Sequence, residues 1–214
     1  MADSCPLCRQ RSVHHYHQDK HRYYFQCGHC ALVFVAPSQH LPANREKAEY
    51  DKHQNAIDDP GYRQFLSRIF APASRLLENR PTNGLDFGCG PGPALAAMFS
   101  EAGHEMALYD VFYHADNTVF TKQYDFITMT EVIEHLATPR GELERLWQCL
   151  VPGGFLAVMT KLVIDREAFK SWHYKNDPTH IAFYSLATLD YLAGWLGAEL
   201  RIHAADAFTL HKPR

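Results

Sequence analysis

Three groups of residues have types and spacings that could do chemistry. The first is Cys5-Pro-Leu-Cys8 with Cys27-Gly-His-Cys30, a C-x2-C-x18-C-x2-C arrangement. Each C-x2-C turn can aim two thiolates at one ion, and the spacing suits a four-thiolate zinc site. Gly28 eases the second turn, since glycine accepts backbone angles that other residues resist. The plainer reading is two free or disulfide-linked pairs. A redox C-x-x-C needs a βαβ setting that this stretch lacks. His29 or a neighbouring His could replace one thiolate. The second group is Gly84-Leu-Asp-Phe-Gly-Cys-Gly-Pro-Gly-Pro93, where glycines at 88, 90 and 92 let a ligand approach the backbone. The third is Thr130-Glu-Val-Ile-Glu-His-Leu136. If a helical turn begins at Thr130, Glu131, Glu134 and His135 share one face. Two carboxylates and an imidazole there call for an organising partner, and a divalent cation would serve.

These groups need elements to hold them. Strand-like stretches His21–Gln26 and Ala31–Val35 join the cysteine turns into a zinc ribbon over residues 1–36. A module of about 35 residues buries too little core to fold alone, so a closed four-ligand metal would supply folding energy and be structural. Residues 37–80 read as a connector. A polar start gives way to Tyr62, Phe65, Leu66, Ile69 and Phe70 at helical spacing, and Pro72 is expected to interrupt. That stripe reads as core packing, with a substrate box as the alternative. Residues 81–214 read as an α/β domain. A strand enters the glycine loop, and a helix follows with Leu95, Met98, Phe99 and Ala102 on one face and Gly103 at its end. His104–Asp110 is a second strand ending in an acid. Only a short segment separates it from the strand Tyr124–Thr130, so a helix and a strand usual in such folds are reduced or missing. Thr138-Pro139 starts a helix carrying Leu143, Leu146, Trp147 and Leu150. Pro152-Gly-Gly154 turns into a strand to Thr160. A helix Leu186–Leu196 and strands Glu199–Ala204 and Ala207–His211 complete the sheet.

The glycine loop discriminates between cofactors. A dinucleotide fingerprint G-x-G-x-x-G, counted from Gly88 and Gly90, would need glycine where Pro93 stands. The pattern Asp86-x-Gly88-x-Gly90-x-Gly92 instead resembles motif I of class I S-adenosylmethionine-dependent methyltransferases. The resemblance extends over roughly residues 82–212 and includes the Pro152-Gly-Gly154 turn. It implies an α/β, Rossmann-like doubly wound sheet whose last strand runs antiparallel, here with a small N-terminal zinc ribbon. It implies S-adenosylmethionine as cofactor, with Gly88, Cys89, Gly90 and Gly92 beneath its methionine part. Asp86 would hold its amino-acid end directly or through water, and Asp110 would take the ribose hydroxyls. Thr130 and Glu131 count among the cofactor contacts. An acid at Asp110 also serves nicotinamide enzymes, so alone it indicates only a nucleoside. Asp116, Asn117 and Phe120 are the candidates for adenine.

Glu-Val-Ile-Glu-His after the fourth strand looks like ubiquinone-biosynthesis O-methyltransferases and small-RNA 2′-O-methyltransferases. By the second match Glu131, Glu134, His135 and the later His180 are candidate ligands of a second divalent cation, which would lower the pKa of an acceptor hydroxyl. Glu131, His135 and His180 are the candidate catalytic residues. Metal-free pocket roles, including general base, or a structural role are the alternatives. Phe169, Trp172, His173 and Tyr174 could flank an acceptor or form a lid packed on the core. Cys89 and Cys149 read first as packing thiols.

Composition bounds the rest. Of 214 residues, 46% are hydrophobic and 21% charged, as in globular proteins. No apolar run approaches the roughly 20 residues of a membrane span, and the N-terminus lacks signal features, so a cytoplasmic protein is expected. A net charge of −3 counts against a large nucleic-acid surface without excluding a local one around Arg9, Arg11, Lys20 and Arg22. The expected activity is methyl transfer to a small-molecule hydroxyl. A sugar C-methyltransferase and a ribbon-based interaction protein on a methyltransferase scaffold are the rivals.

Overall fold

A computed structural model describes residues 3–52, 56–78 and 80–214; the N-terminal Met-Ala dipeptide and His53 in the connector lie outside them. The described residues form two sheets. Strands β1 (Val13–Gln18), β2 (Tyr23–Cys27) and β3 (Val33–Val35) make an antiparallel ribbon. Helix α1 (Ala43–Tyr50) buries none of its side chains fully. Helix α2 (Pro60–Leu76) starts where Asp59 accepts the Tyr62 N–H at 2.7 Å, with Pro60 in the first turn.

Pro72 does not interrupt α2 as expected; the helix runs through it. A mid-helix proline forfeits one hydrogen bond at a cost of about 3 kcal/mol. Leu66, Ile69 and Ala73 are buried on the same helix against Phe99 and the sheet. Each large side chain so buried contributes about 1.5–3 kcal/mol, enough to carry the helix across the defect.

The second sheet contains β4 (Asn83–Phe87), β5 (Glu105–Tyr109), β6 (Tyr124–Thr130), β7 (Leu150–Met159), β9 (Glu199–Ala204) and β10 (Ala207–His211), in the order β5-β4-β6-β7-β10-β9. The first four are parallel, and β10 is antiparallel to both neighbours. Only a short 3-10 turn, Asn117–Thr121, lies between β5 and β6, so the sheet ends at β5. Alternation along the strands sorts the core. Phe126, Phe155, Ala157 and Met159 meet α2 and α3 (Ala94–Glu101) on one face. Ile127, Leu156 and Val158 meet α4 (Pro139–Cys149) and α6 (Leu186–Leu196) on the other. This is the mostly parallel α/β sheet of class I methyltransferases.

The ribbon is tied into that body. After α5 (Arg166–Ser171), the two-residue strand β8 (Ala182–Phe183) pairs with β3 as the fourth strand of the ribbon sheet. Leu7, Leu32 and the four cysteines share one apolar cluster with Tyr184, Leu189 and Leu192. No helix among the described residues is long and apolar enough to cross a membrane.

Candidate active site

The four N-terminal cysteines converge. Cys5 and Cys30 sulfurs lie 3.5 Å apart, Cys8 and Cys27 3.3 Å, and all four fall within 4.8 Å of one another and are buried. A tetrahedral zinc with bonds near 2.3 Å would place its sulfurs roughly 3.8 Å apart, so the cluster fits a zinc site. The His29 N–H donates to Cys27 Sγ at 3.4 Å, an outer contact of the kind that orients a metal ligand. A hydrogen bond from Cys30 holds the Cys5 thiol down to about 5, whereas burial pushes Cys8 up to about 12. All four can ionise together only around a cation.

A cleft of about 720 Å³ opens at the carboxyl ends of β4, β5 and β6, where open α/β sheets bind ligands. The glycine loop forms one wall. The Gly88 N–H donates to the Tyr109 carbonyl at 2.7 Å with φ +76°, and a Cβ there would lie 2.4 Å from Val132 Cγ2. Gly90 has φ +63° and nothing within 4 Å of a built Cβ. Asp110 directly follows β5, its carboxylate accepting from the N–H groups of Gly90 (3.0 Å), Phe112 (2.8 Å) and Tyr113 (3.2 Å). Those three bonds fasten the acid to the loop and leave about one lone pair, on Oδ2, for a ligand, since a carboxylate accepts about four.

Gly88, Cys89, Gly90, Gly92, Asp110, Thr130 and Glu131 all line this cleft. Asp86 does not; it sits behind the loop, buried, and accepts from Thr128 Oγ1 at 2.6 Å. Burial pushes its carboxyl up to about 6. Asp116 and Asn117 are exposed away from the cleft. Phe120 packs between Tyr109 and the Arg145 guanidinium, which lies 3.6 Å from its ring. The wall there is made instead by Val111, Leu136, Thr138, Glu142 and Arg145. Nothing in the periodicity of α4 marks its polar face as a cleft wall.

The expected helical turn at Thr130 is absent. Strand β6 runs through Thr130, Glu131 takes φ +53°, and a 3-10 turn covers Ile133–His135. The parallel ladder to β7 holds the strand straight to its end, so the chain must break sharply. A left-handed non-glycine residue at such a break costs of order 1–3 kcal/mol and is common at functional sites. As a result Glu131 faces the cleft, whereas Glu134 is fully buried. The four-ligand set divides accordingly: Glu134, His135 and His180 bring ligand atoms within 4.8 Å of one another, and Glu131 stands outside that group.

Tyr174 links the two acids. Its hydroxyl lies 3.1 Å from Glu131 Oε2, makes a short contact to Glu134 Oε1 and lies 3.2 Å from Thr160 Oγ1. One hydroxyl has one proton to give, so a protonated Glu131 donating to Tyr174, and Tyr174 to Glu134, satisfies the chain. Burial, aided by Glu134, pushes Glu131 up to about 8; burial pushes Glu134 up to about 7. Thr130 Oγ1, Glu131 Oε1 and Glu134 Oε2 are buried without a hydrogen-bond partner. Both imidazoles are oriented by main-chain carbonyls. His135 Nδ1 is 3.1 Å from Thr179 O, and His180 Nδ1 is 2.7 Å from Tyr174 O. Each N–H so used makes Nε2 the lone-pair nitrogen, as in metal-ligating histidines. Burial and His135 hold His180 down to about 4, so it is neutral near pH 7. These donors fit a divalent cation.

The remaining aromatic residues divide. Tyr50 of α1 and Tyr62 and Phe65 of α2 line the cleft. Tyr50 packs edge-on to His135 at 5.3 Å. Phe169 and Trp172 pack instead with Tyr16, Tyr24 and Phe183 against the ribbon.

A family model describing a methyltransferase domain matches residues 51–201. No curated protein sequence matches the chain significantly. Among solved structures, Burkholderia thailandensis 1,6-didemethyltoxoflavin-N1-methyltransferase, determined with 1,6-didemethyltoxoflavin and S-adenosylhomocysteine, superposes at TM-score 0.53 and 16% identity, covering 94% of this chain and 100% of its own. The plantazolicin methyltransferase BpumL, bound to a substrate analogue and S-adenosylhomocysteine, gives TM-score 0.52 at 14% identity over 80% of this chain and 90% of its own. Human N-acetylserotonin methyltransferase with S-adenosylmethionine gives 0.51 at 16% identity over 70% of this chain and 52% of its own. These likenesses concern the fold. With the family match spanning most of the sequence, the chain belongs to the methyltransferase domain family and has its S-adenosylmethionine-binding fold.

Proposed function

We propose that the protein transfers a methyl group from S-adenosylmethionine to a hydroxyl of a small molecule held in the cleft beneath α1 and α2. The observation that carries this reading is the grouping of buried, unpartnered acceptors at the cleft's inner end. Thr130 and Glu131 line the cleft together with the glycine loop, His135 and His180, and their Oγ1 and Oε1 atoms are without a partner. Unpaired buried polar atoms are costly, and a ligand would satisfy them.

In this reading Gly88–Gly92 carry the cofactor's methionine part and Asp110 accepts from its ribose, while Asp86 stiffens the loop from behind. The acceptor sits against Tyr50, Tyr62 and Phe65, with its oxygen aligned to the sulfonium methyl. As the O–CH3 bond forms and the S–CH3 bond breaks, the hydroxyl proton passes to a neighbouring base. His180 and His135, each with Nε2 as its lone-pair nitrogen, are suited to that role. Where Glu134, His135 and His180 instead hold a divalent cation, those lone pairs would be committed to it, the cation would supply Lewis acidity to the acceptor oxygen, and the hydroxyl proton would pass to solvent. The cysteine cluster would hold a structural zinc.

Charge narrows the acceptor. Among the described residues lining the cleft, Arg145 is the one arginine or lysine, against Glu46, Asp110, Glu142 and Asp177. Arg145 makes a short pair with Glu142 and lies over the Phe120 ring. Apart from a cation on Glu134, His135 and His180, the cleft therefore offers little to an anionic acceptor, which disfavours nucleotide-linked sugars.

The test is transfer of tritiated methyl from S-adenosylmethionine to panels of neutral phenols, neutral polyols and nucleotide sugars, with and without chelator. Incorporation into a neutral hydroxyl compound, abolished by His180→Ala, supports the reading. Incorporation only into nucleotide sugars, or activity indifferent to His180→Ala, rejects it.

A further inference from the structure

A buried arginine of the ribbon reaches the wall of the cleft. The tip of the β1–β2 hairpin is closed by Asp19, whose Oδ1 accepts from the N–H groups of His21 (2.8 Å) and Arg22 (2.9 Å). That turn delivers the Arg22 side chain inward, leaving the residue 8% exposed. Its guanidinium ends among main-chain carbonyls of one segment. Nη1 donates to Pro178 (3.2 Å) and His180 (2.8 Å); Nη2 donates to Asp177 (2.9 Å) and, in a short contact, to Lys175. The Tyr24 ring flanks it at 5.4 Å, and Tyr24 also donates to the Lys175 carbonyl.

Among the described residues no carboxylate forms an ion pair with Arg22. A buried cation without a counter-ion is expensive unless its donors are satisfied, and here four carbonyl dipoles do so. The need is mutual. The segment 173–180 has a single 3-10 turn, His173–Asn176, so its own backbone leaves carbonyls unpaired. The planar fork of arginine can serve several acceptors at once, which a lysine cannot reproduce. The same segment presents Asp177 and His180 to the cleft, and its Tyr174 carbonyl fixes the His180 ring.

We propose that Arg22 is a positioning residue of the active site. Through its fork the ribbon hairpin fixes the course of residues 175–180, and thereby the orientation of His180 against His135 and Glu134. The ribbon is then a built-in part of the acceptor side of the cleft, besides whatever its cysteines hold. The proposal rests on the cleft being the site of methyl transfer, but the geometry it concerns can be read without an acceptor.

The experiment uses full-length zinc-loaded protein with 15N-labelled histidine. Nitrogen-detected NMR of the imidazoles reports the tautomer of His180 and the solvent exchange of its Nδ1 proton; His180→Gln assigns the signal. Arg22→Gln and Arg22→Lys are compared with the parent, together with zinc content and affinity for S-adenosylhomocysteine. Charge-assisted hydrogen bonds of this kind predict a roughly ten- to hundredfold faster exchange of the His180 proton in Arg22→Gln, with Arg22→Lys restoring part of the protection. Zinc content should hold, and S-adenosylhomocysteine affinity should stay within about twofold, because the side-chain contacts of Arg22 are with residues 175–180 and Tyr24 and not with the loop that would carry the cofactor. An unchanged His180 signal in both variants overturns the proposal. So does parallel loss of zinc and cofactor binding in a folded variant, since Arg22 would then be a general stabiliser. Should Arg22→Gln be insoluble, Arg22→Lys alone decides. Failure of the parent to bind S-adenosylhomocysteine would reject the proposed function while leaving the His180 comparison interpretable.

Discussion

Alanine at Gly88 and at Gly90 should separate packing from cofactor contact. Both glycines have positive φ, +76° and +63°. Alanine at either therefore takes on about 1–2 kcal/mol of backbone strain. At Gly88 the new methyl would also meet Val132 Cγ2 at 2.4 Å, adding about 1–3 kcal/mol of overpacking. At Gly90 nothing lies within 4 Å. For a chain of this size, each kcal/mol lowers Tm by roughly 2–4 °C. Gly90→Ala should thus cost about 2–8 °C, and Gly88→Ala markedly more, with Val132→Ala in the same chain restoring part of the loss. Affinity should not follow stability. The space before Gly90 is the one assigned to the cofactor, so Gly90→Ala should weaken S-adenosylhomocysteine by about tenfold or more, roughly 1.4 kcal/mol. Differential scanning fluorimetry and calorimetric titration read the two quantities. Gly90→Ala binding as tightly as the parent would refute the placement of the cofactor against this loop.

Other perturbations have signs fixed by the geometry. Asp110→Ala should weaken S-adenosylhomocysteine roughly ten- to hundredfold; unchanged affinity in titration would remove Asp110 from the ribose. Thr130→Val removes a buried hydroxyl that has no partner in the free protein, so Tm should hold or rise while cofactor affinity falls. Equal affinity would detach Thr130 from the ligand. Cys8→Ser should lose the metal found by elemental analysis along with soluble expression, and an unaltered metal content would contradict the zinc cluster. In metal-free protein, Glu134 and Glu131 are raised from about 4.5 to about 7 and about 8. The folded state then holds more protons than the unfolded one across that window, so stability is greatest below pH 4.5 in respect of these groups and declines as pH rises toward 8. Glu134→Gln should flatten that decline in Tm, and an unchanged slope would mean the pair is not buried as described.

Much of this was legible in the sequence because it is local. Glycines 88, 90 and 103 mark positive φ, and Ser185 with Gly197 brackets α6. Leu200, Ile202 and Ala204 alternate with polar residues to give β9, and the short run Ala207–His211 gives β10 at its observed bounds. The C-x2-C pairs carry their own geometry. What escaped depends on contacts between distant segments. Strand β1 contains three histidines and only one buried side chain, Tyr16, so composition hid its periodicity. Strand β8 is two residues long and exists only as a partner of β3. The helical reading of Glu131–His135 failed because i, i+3, i+4 spacing cannot reveal that the β6–β7 ladder extends to Thr130. Arg22 looked like one of several surface cations; its burial follows from carbonyls more than 150 positions away. Resemblance assigns Asp86 to the cofactor's amino-acid end, directly or through water; its bond to Thr128 behind the loop is a contact between strands that spacing does not reveal.

Calorimetric titration with S-adenosylhomocysteine, on protein whose metals have been counted by elemental analysis, tests the central claim most directly. The account predicts saturable binding of one ligand per chain, with zinc present at one equivalent. No detectable heat at millimolar ligand, on folded protein, would contradict the catalytic reading and leave the methyltransferase fold as a scaffold for another function.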